Sequence, residues 1–307
     1  MSNQKPSIGG QAVIEGVMIR NKNIYSIAVR KDNGDIEVIK RDIKSPANVY
    51  KILRSPFIRG ITALVENLVL GIKSLLYSAE AALPEEETKK KGNRSNLLVV
   101  LGVIPALLLG VVLFIILPNF SVHFLGIIEK DHPFLFNLAA GFIRLSVFVV
   151  YILVISFIKD IKRTFQYHGA EHKSIFCYES GKPLVVEEAS QFKTLHPRCG
   201  TSFLFFVFFI TIVVFPMITV GIRLVYSDFT NLSLIYRKAI TIFLHILVAL
   251  PIIASISYEL LKLSDKLKSS ILVKALIAPG LFLQKITTRE PEGEQLEVAL
   301  EAVKAVL

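Results

Sequence analysis

Along the chain, apolar and polar positions alternate in three different rhythms. Residues 11–42 change at short range: AVIEGVMIR, IYSIAVRK and DIEVIKRD are short runs rich in β-branched residues. Asn33-Gly34 sits between the last two runs and is a strong hairpin signal. Phe57–Leu76 has the helical rhythm, with apolar residues at 57, 58, 61, 64, 65, 68, 69, 72, 75 and 76. Arg59, Glu66, Asn67 and Lys73 interrupt that stripe from the other face, so an amphipathic helix lying on the inner membrane face or against the spans is expected. The third rhythm is continuous. Four stretches, roughly Asn96–Leu117, Phe134–Ile158, Ser202–Tyr226 and Ala239–Leu261, run about twenty residues with almost no charge. That is the length needed to cross a hydrocarbon core of ~30 Å.

The expected fold is therefore a mainly α integral membrane protein. It has four transmembrane helices, amphipathic interfacial helices and a small N-terminal β-hairpin unit on the cytoplasmic side. The chain divides into a β unit at 1–45, an amphipathic helical segment at 46–83 and a linker at 84–95. A four-helix membrane domain follows at 96–261, with a His/Glu/Cys loop at 159–201. Interfacial and C-terminal helices occupy 262–307. The linker reading rests on the solvated charge run PEEETKKKGNRSN. No internal repeat is visible.

Composition sharpens this picture. Of the 307 residues 52% are hydrophobic, and the excess is concentrated in the four stretches. A net charge of +10 would suit a nucleic-acid partner, but its distribution does not. Lys and Arg gather before the first span, between spans two and three, and after span four. The 118–133 loop holds only Lys130, and the 227–238 loop holds Arg237 and Lys238 with Arg223 nearby. Basic loops stay cytoplasmic. The expected topology is multi-pass, N-in and C-in, with the bilayer as partner and no nucleic acid. Other membrane proteins and a second copy of the chain are open as partners. The polar, glycine-rich start MSNQKPSIGGQ has no apolar h-region, so no cleaved signal sequence is expected. Its glycines lack a following Gly-Lys-Ser/Thr and read as turn residues rather than a phosphate loop.

The candidate chemistry lies in YHGAEHKSIFCYE, residues 167–179, and in LHPRCG downstream. If 167–177 is helical, His168 and His172 are four apart on one face and can grip one metal ion. Glu171 lies beside them, about a third of a turn away. The order His-x-x-Glu-His is the inverse of HExxH, in which two histidines bind metal and the glutamate is the general base. Further ligands are offered by His196 and Cys199, and by Glu259 near the cytoplasmic end of the fourth span. Cys177 and Cys199 both fall in the cytoplasmic loop, where a stable disulfide is disfavoured. A borderline-soft His/Cys donor set favours zinc over magnesium or calcium. Four protein ligands, such as His168, His172, His196 and Cys199, would make a structural site. Three ligands plus an open position, with Glu171 or Glu259 as base, would make a catalytic one. The bland alternative is a polar loop whose His and Glu cap helices and pair with Lys173 and Arg198. Arg144 and His245 are ionisable groups within the spans. Arg144 together with the kinking prolines raises transport as a further class, weakened by the lack of an acidic residue at mid-depth.

Several separate motifs occur in order: GGQAVIEGVMIR, YHGAEHKSIFCYE, HPRCGTSF, ISYELLK and APGLFLQKITTREP. Together they make the chain resemble the bacterial YqhQ family over nearly its whole length. That family is polytopic, of uncharacterised function, and labelled a predicted metal-dependent enzyme. The resemblance implies that the β unit, the loop and the TTREP segment belong to one design. It singles out His168, Glu171, His172, His196, Cys199 and Glu259. The function expected is metal-dependent, zinc-type hydrolase chemistry on a membrane-proximal substrate at the cytoplasmic face, with Glu171 as catalytic base. The alternative is a non-enzymatic membrane assembly factor or regulator whose His/Cys cluster is structural.

Overall fold

The computed structural model describes residues 8–84, 104–267 and 270–307, apart from the side chains of residues 227, 230, 234, 265 and 266. Most of the expected linker and the first residues of the first expected span lie outside the described residues.

The N-terminal runs form a four-stranded antiparallel meander in sequence order. Its strands are β1 (Gly9–Val13), β2 (Gly16–Asn21), β3 (Ile24–Arg30) and β4 (Ile36–Asp42). The expected hairpin is there, with Gly34 at φ 90° closing the turn between β3 and β4. The AVIEGVMIR run is two strands rather than one. It reverses at Ile14-Glu15, where Glu15 takes φ 50°, costly for a side-chain-bearing residue. Glu15 is held there from both ends. Its carbonyl accepts the Arg30 N–H at 2.8 Å, and its carboxylate takes Arg163 at 2.5 Å.

Both faces of the sheet are covered, which explains why its strands read as near-continuous apolar runs. Val17, Ile19 and Ala28 face one core with Tyr167, Ala170, Leu296, Leu300 and Val303. Met18, Tyr25, Ile27 and Val29 face a second core with Leu70 and Tyr77. Helix α1 (Ile58–Ala81) supplies that second cover. Its polar residues serve the sheet: Glu66 pairs with Arg20 at 2.9 Å, and Ser78 Oγ accepts the Ile14 N–H at 3.1 Å. Its opposite side leaves Val65, Leu68, Ile72 and Leu76 exposed.

Five helices are long and apolar enough to cross a membrane. They are α1, α2 (Ile104–Phe124), α3 (Pro133–Ile155), α6 (Gly200–Val225) and α7 (Ile235–Ser264). The last four overlap the four spans expected from sequence. By length and composition α1 qualifies as well, so the count of four is not fixed. The five carry wide exposed apolar faces, including Leu107, Phe142, Phe209 and Phe243. Surfaces of that kind indicate lipid contact. Close approach between helices falls at small residues. An added Cβ would lie 2.9 Å from Ile212 at Gly141 and 2.8 Å from Ser255 at Gly60.

Proline explains the irregular turns. A π-helical turn at Val112–Ile116 precedes Pro118, and another at His245–Ala249 precedes Pro251. Proline offers no N–H to the carbonyl four residues back, so the ladder must adjust. Phe114 is the residue four before Pro118. Its carbonyl accepts the Arg144 Nε–H at 2.8 Å, which partners an intramembrane cation with an intramembrane carbonyl.

The segment at 159–201 contains α4 (Lys159–Glu179) and the short α5 (Val186–Ser190). After α7 come α8 (Ile271–Thr287) and α9 (Gly293–Ala305). Helix α9 is no peripheral appendage. Leu296, Val298, Ala299, Leu300, Ala302 and Val303 are all buried, and the Ala302 carbonyl accepts from Ser26 on β3 at 2.6 Å. The link between α8 and α9 passes directly over α4, where the Arg289 N–H donates to the Phe165 carbonyl at 2.9 Å. Gly169 makes that crossing feasible, because a Cβ there would collide with the Arg289 carbonyl. Gly169→Val should therefore cost about 1–3 kcal/mol, the usual range for overpacking. It should also open the Arg289–Glu290 bond to trypsin at a rate at which wild type stays intact.

Candidate metal centre

Helix α4 is buried along most of its second half, from Tyr167 to Tyr178. The His-x-x-Glu-His order is thus on a helix inside the protein, held by the sheet on one side and by α9 on another. His168 and His172 stand one turn apart with ring centroids 4.5 Å from each other.

Each imidazole is fixed through Nδ1. His168 Nδ1 is 2.8 Å from the Thr287 carbonyl, and His172 Nδ1 bonds the Thr194 carbonyl. A carbonyl can only accept, so the network assigns the proton to Nδ1 in both rings. Nε2 is the nitrogen left to each ring for other partners, and that of His168 meets Cys199 Sγ at 3.1 Å. A metal-ligating histidine is typically oriented in this way, through its other nitrogen. The Thr287 carbonyl is available because it lies in the last turn of α8, where helical carbonyls lack an intrahelical partner.

Cys199 closes the group. It is the N-cap of α6, and its Sγ lies 3.1 Å from His168 Nε2. One ligand atom each from His168, His172 and Cys199 fall within 4.8 Å of one another. In a tetrahedral zinc shell with bonds of ~2.0–2.3 Å, neighbouring donors are about 3.3–3.6 Å apart. Two imidazole nitrogens and a sulfur this close could hold one metal ion.

Glu171 lies against this group with only 4% of its surface exposed. Its Oε2 is 4.0 Å from His168 Nε2. Burial pushes the carboxyl up to about 7, against the opposing pull of His168 and of the Gly10 N–H. Gly10 on β1 therefore brings the GGQ segment to the centre.

His196 is adjacent but turned away from the three converging donors. Its ring packs on Phe176, its Nδ1 accepts the Arg198 N–H at 3.2 Å, and its Nε2 is 4.0 Å from Glu179. Glu259 is engaged elsewhere. It clamps Arg59 at 2.7 and 2.5 Å and accepts the Phe57 N–H at 3.2 Å. Phe57 has φ 67°, so Glu259 secures a strained entry into α1.

Sequence reasoning missed Gln284. This side chain is fully buried. It accepts the His196 N–H at 2.8 Å and donates to the His196 carbonyl at 2.9 Å and to Ser202 Oγ at 3.0 Å. It thereby holds both ends of the turn that carries Cys199. A lone Gln in an apolar helix was the available signal. Of the two cations expected to pair with the loop's own His and Glu, Arg198 takes Glu179, whereas Lys173 binds Glu290 beyond the loop and the Ser190 carbonyl.

The fold and site define a largely helical protein with bilayer-length apolar helices and a His/His/Cys cluster where α4 meets the start of α6. A family model described as "Protein of unknown function (DUF1385)" matches residues 55–307. A relative named "Uncharacterized protein YqhQ", from Bacillus subtilis strain 168, is 36% identical over 317 residues. That match covers 98% of this chain and 92% of the relative. The chain belongs to this YqhQ family. No solved structure matches it.

Gln284→Leu leaves the His196 main chain and Ser202 Oγ without their buried partner. Stability should fall by about 1–3 kcal/mol, read as a lowered midpoint of thermal unfolding in detergent. An unchanged midpoint would show that the turn carrying Cys199 does not need Gln284.

Proposed function

We propose that this protein is a membrane enzyme that uses one divalent metal, zinc by donor type, for hydrolytic chemistry on a substrate at the cytoplasmic membrane face. One observation carries the reading. Two Nδ1-tethered imidazoles and Cys199 converge, and Glu171 lies next to them. His168, His172 and Cys199 would hold the ion, which supplies Lewis acidity toward water and a substrate oxygen. Glu171 would act as general base. It takes the proton of the attacking water and returns it to the leaving group. A carboxyl raised by burial to about 7 is suited to both directions of that transfer near neutral pH. Nδ1 tethering prevents either ring from turning away when the site is empty.

The proposed setting is a bacterial inner membrane with both termini inside. Strands of the sheet, α4 and α9 share one core, which supports a reading with both ends of the chain on one side. The 118–133 and 227–238 loops meet each other through Lys238 and Glu129 at 2.6 Å. That pairing suits α2/α3 and α6/α7 as two hairpins opening to the same side.

A second reading is favoured by burial. His172, Glu171 and His196 are each under 5% exposed, which suits a closed structural zinc in an assembly factor or regulator. In that case His196 or Glu171 would complete the shell.

Elemental analysis of freshly purified protein tests the proposal. One zinc per chain is expected in wild type and in Glu171→Gln, and loss of it in His172→Ala and Cys199→Ser. Metal-free wild type would overturn the proposal. Loss of the ion in Glu171→Gln would make Glu171 a ligand and favour the structural reading. Once a substrate is found, Glu171→Gln should lower turnover about 10²–10⁴-fold, the usual contribution of a general base.

A further inference from the structure

At the end of the helical bundle away from the metal centre, the 126–132 loop, the C-terminal turn of α6 and the first turns of α7 enclose a small pocket. Lys130, Arg223, Arg237 and Lys238 line it, with Glu129 as the sole carboxylate in the lining. Four cations against one anion leave three positive charges in excess. Glu129 is already committed to Lys238 at 2.6 Å. Arg223 spends its terminal nitrogens on two main-chain carbonyls, those of Lys130 and Glu129, both at 2.8 Å. The Nε atoms of Arg223 and Arg237 are both buried without a hydrogen-bond partner among the described residues. A buried donor left unmade on a charged group is costly. Two of them in one cation-lined pocket point to an acceptor supplied from outside the chain. Asp131 and Asp228 belong to the same loops but not to the lining. Asp228 takes the Asn231 amide at 3.1 Å.

We propose that this pocket binds a phosphate group, that of an anionic phospholipid headgroup. Depth selects the lipid. Arg223 and Lys238 lie within roughly one helical turn of the ends of α6 and α7. With 26 residues α6 is about 39 Å long, against a hydrocarbon core of ~30 Å, so its ends reach the headgroup layer. Guanidinium groups recognise phosphate oxygens through charge-assisted N–H donors. Arg237 is the informative residue because its main-chain N–H bonds the Ser233 carbonyl at 3.1 Å while its buried Nε has no partner among the described residues. The pocket does not use the metal site, so the proposal stands apart from the hydrolase reading.

Native mass spectrometry of the full-length protein in detergent, with phosphatidylglycerol, phosphatidylcholine or inorganic phosphate added, tests it. Wild type should retain phosphatidylglycerol in preference to phosphatidylcholine. Arg237→Gln should bind it about tenfold more weakly, the effect of losing one charge-assisted contact. Arg223→Gln should weaken it too. Its thermal midpoint, compared with that of Arg237→Gln, separates loss of the site from loss of the loop. If inorganic phosphate binds with the same Arg237 dependence, the phosphate site stands and its source is the free anion. Equal retention of both lipids, or retention that ignores Arg237, would overturn the proposal.

Discussion

The bonds from His168 and His172 to the carbonyls of Thr287 and Thr194 tie together three distant pieces of chain. They join α4 to the end of α8 and to the loop before α6. Neither carbonyl is engaged in a regular ladder, so each imidazole satisfies a main-chain group while being aimed by it. Most of the surrounding architecture serves this arrangement. The sheet and α9 bury α4, Gly169 lets the α8–α9 link cross it, and Gln284 fixes the turn that delivers Cys199. A helix exposed on both sides could not hold two side chains to a common point with this economy of contacts.

The helical bundle follows a different constraint. In a bilayer every backbone carbonyl must find a partner within the protein. Pro118 and Pro251 remove donors, and π-helical turns precede both. Arg144 answers one of the resulting gaps at Phe114. Its position in the span thus has a structural explanation, and the reading of transport gains nothing from it.

What was legible in the sequence was whatever depends on local period. Continuous apolar runs gave the long helices, Asn33-Gly34 gave the hairpin turn, and the four-residue spacing put His168 and His172 on one face. Glu259 shows where that reasoning stops. Its place near the cytoplasmic end of a span made it a reasonable distant ligand, yet Arg59 and the strained Phe57 claim it. Only three-dimensional contact distinguishes those partners. The same holds for Cys199 against His196, three residues apart, of which one turns its ligand atom to the cluster. The Ile14-Glu15 reversal was hidden because it lacks glycine or asparagine at the left-handed position. Its compensation, Arg163, lies far along the chain. For α1, two of the charges that suggested an interfacial helix are ion-pair partners, Glu66 of Arg20 on the sheet and Arg59 of Glu259 on α7. Length and hydropathy alone therefore cannot decide its depth.

The central claim is that His168, His172 and Cys199 bind one ion together. X-ray absorption at the zinc edge measures it directly. The account expects nitrogen scatterers at ~2.0–2.1 Å and one sulfur at ~2.3 Å, with the sulfur shell absent in Cys199→Ala and unchanged in Glu259→Ala. A shell of oxygen and nitrogen alone in the wild-type protein, or one indifferent to Cys199, would contradict it.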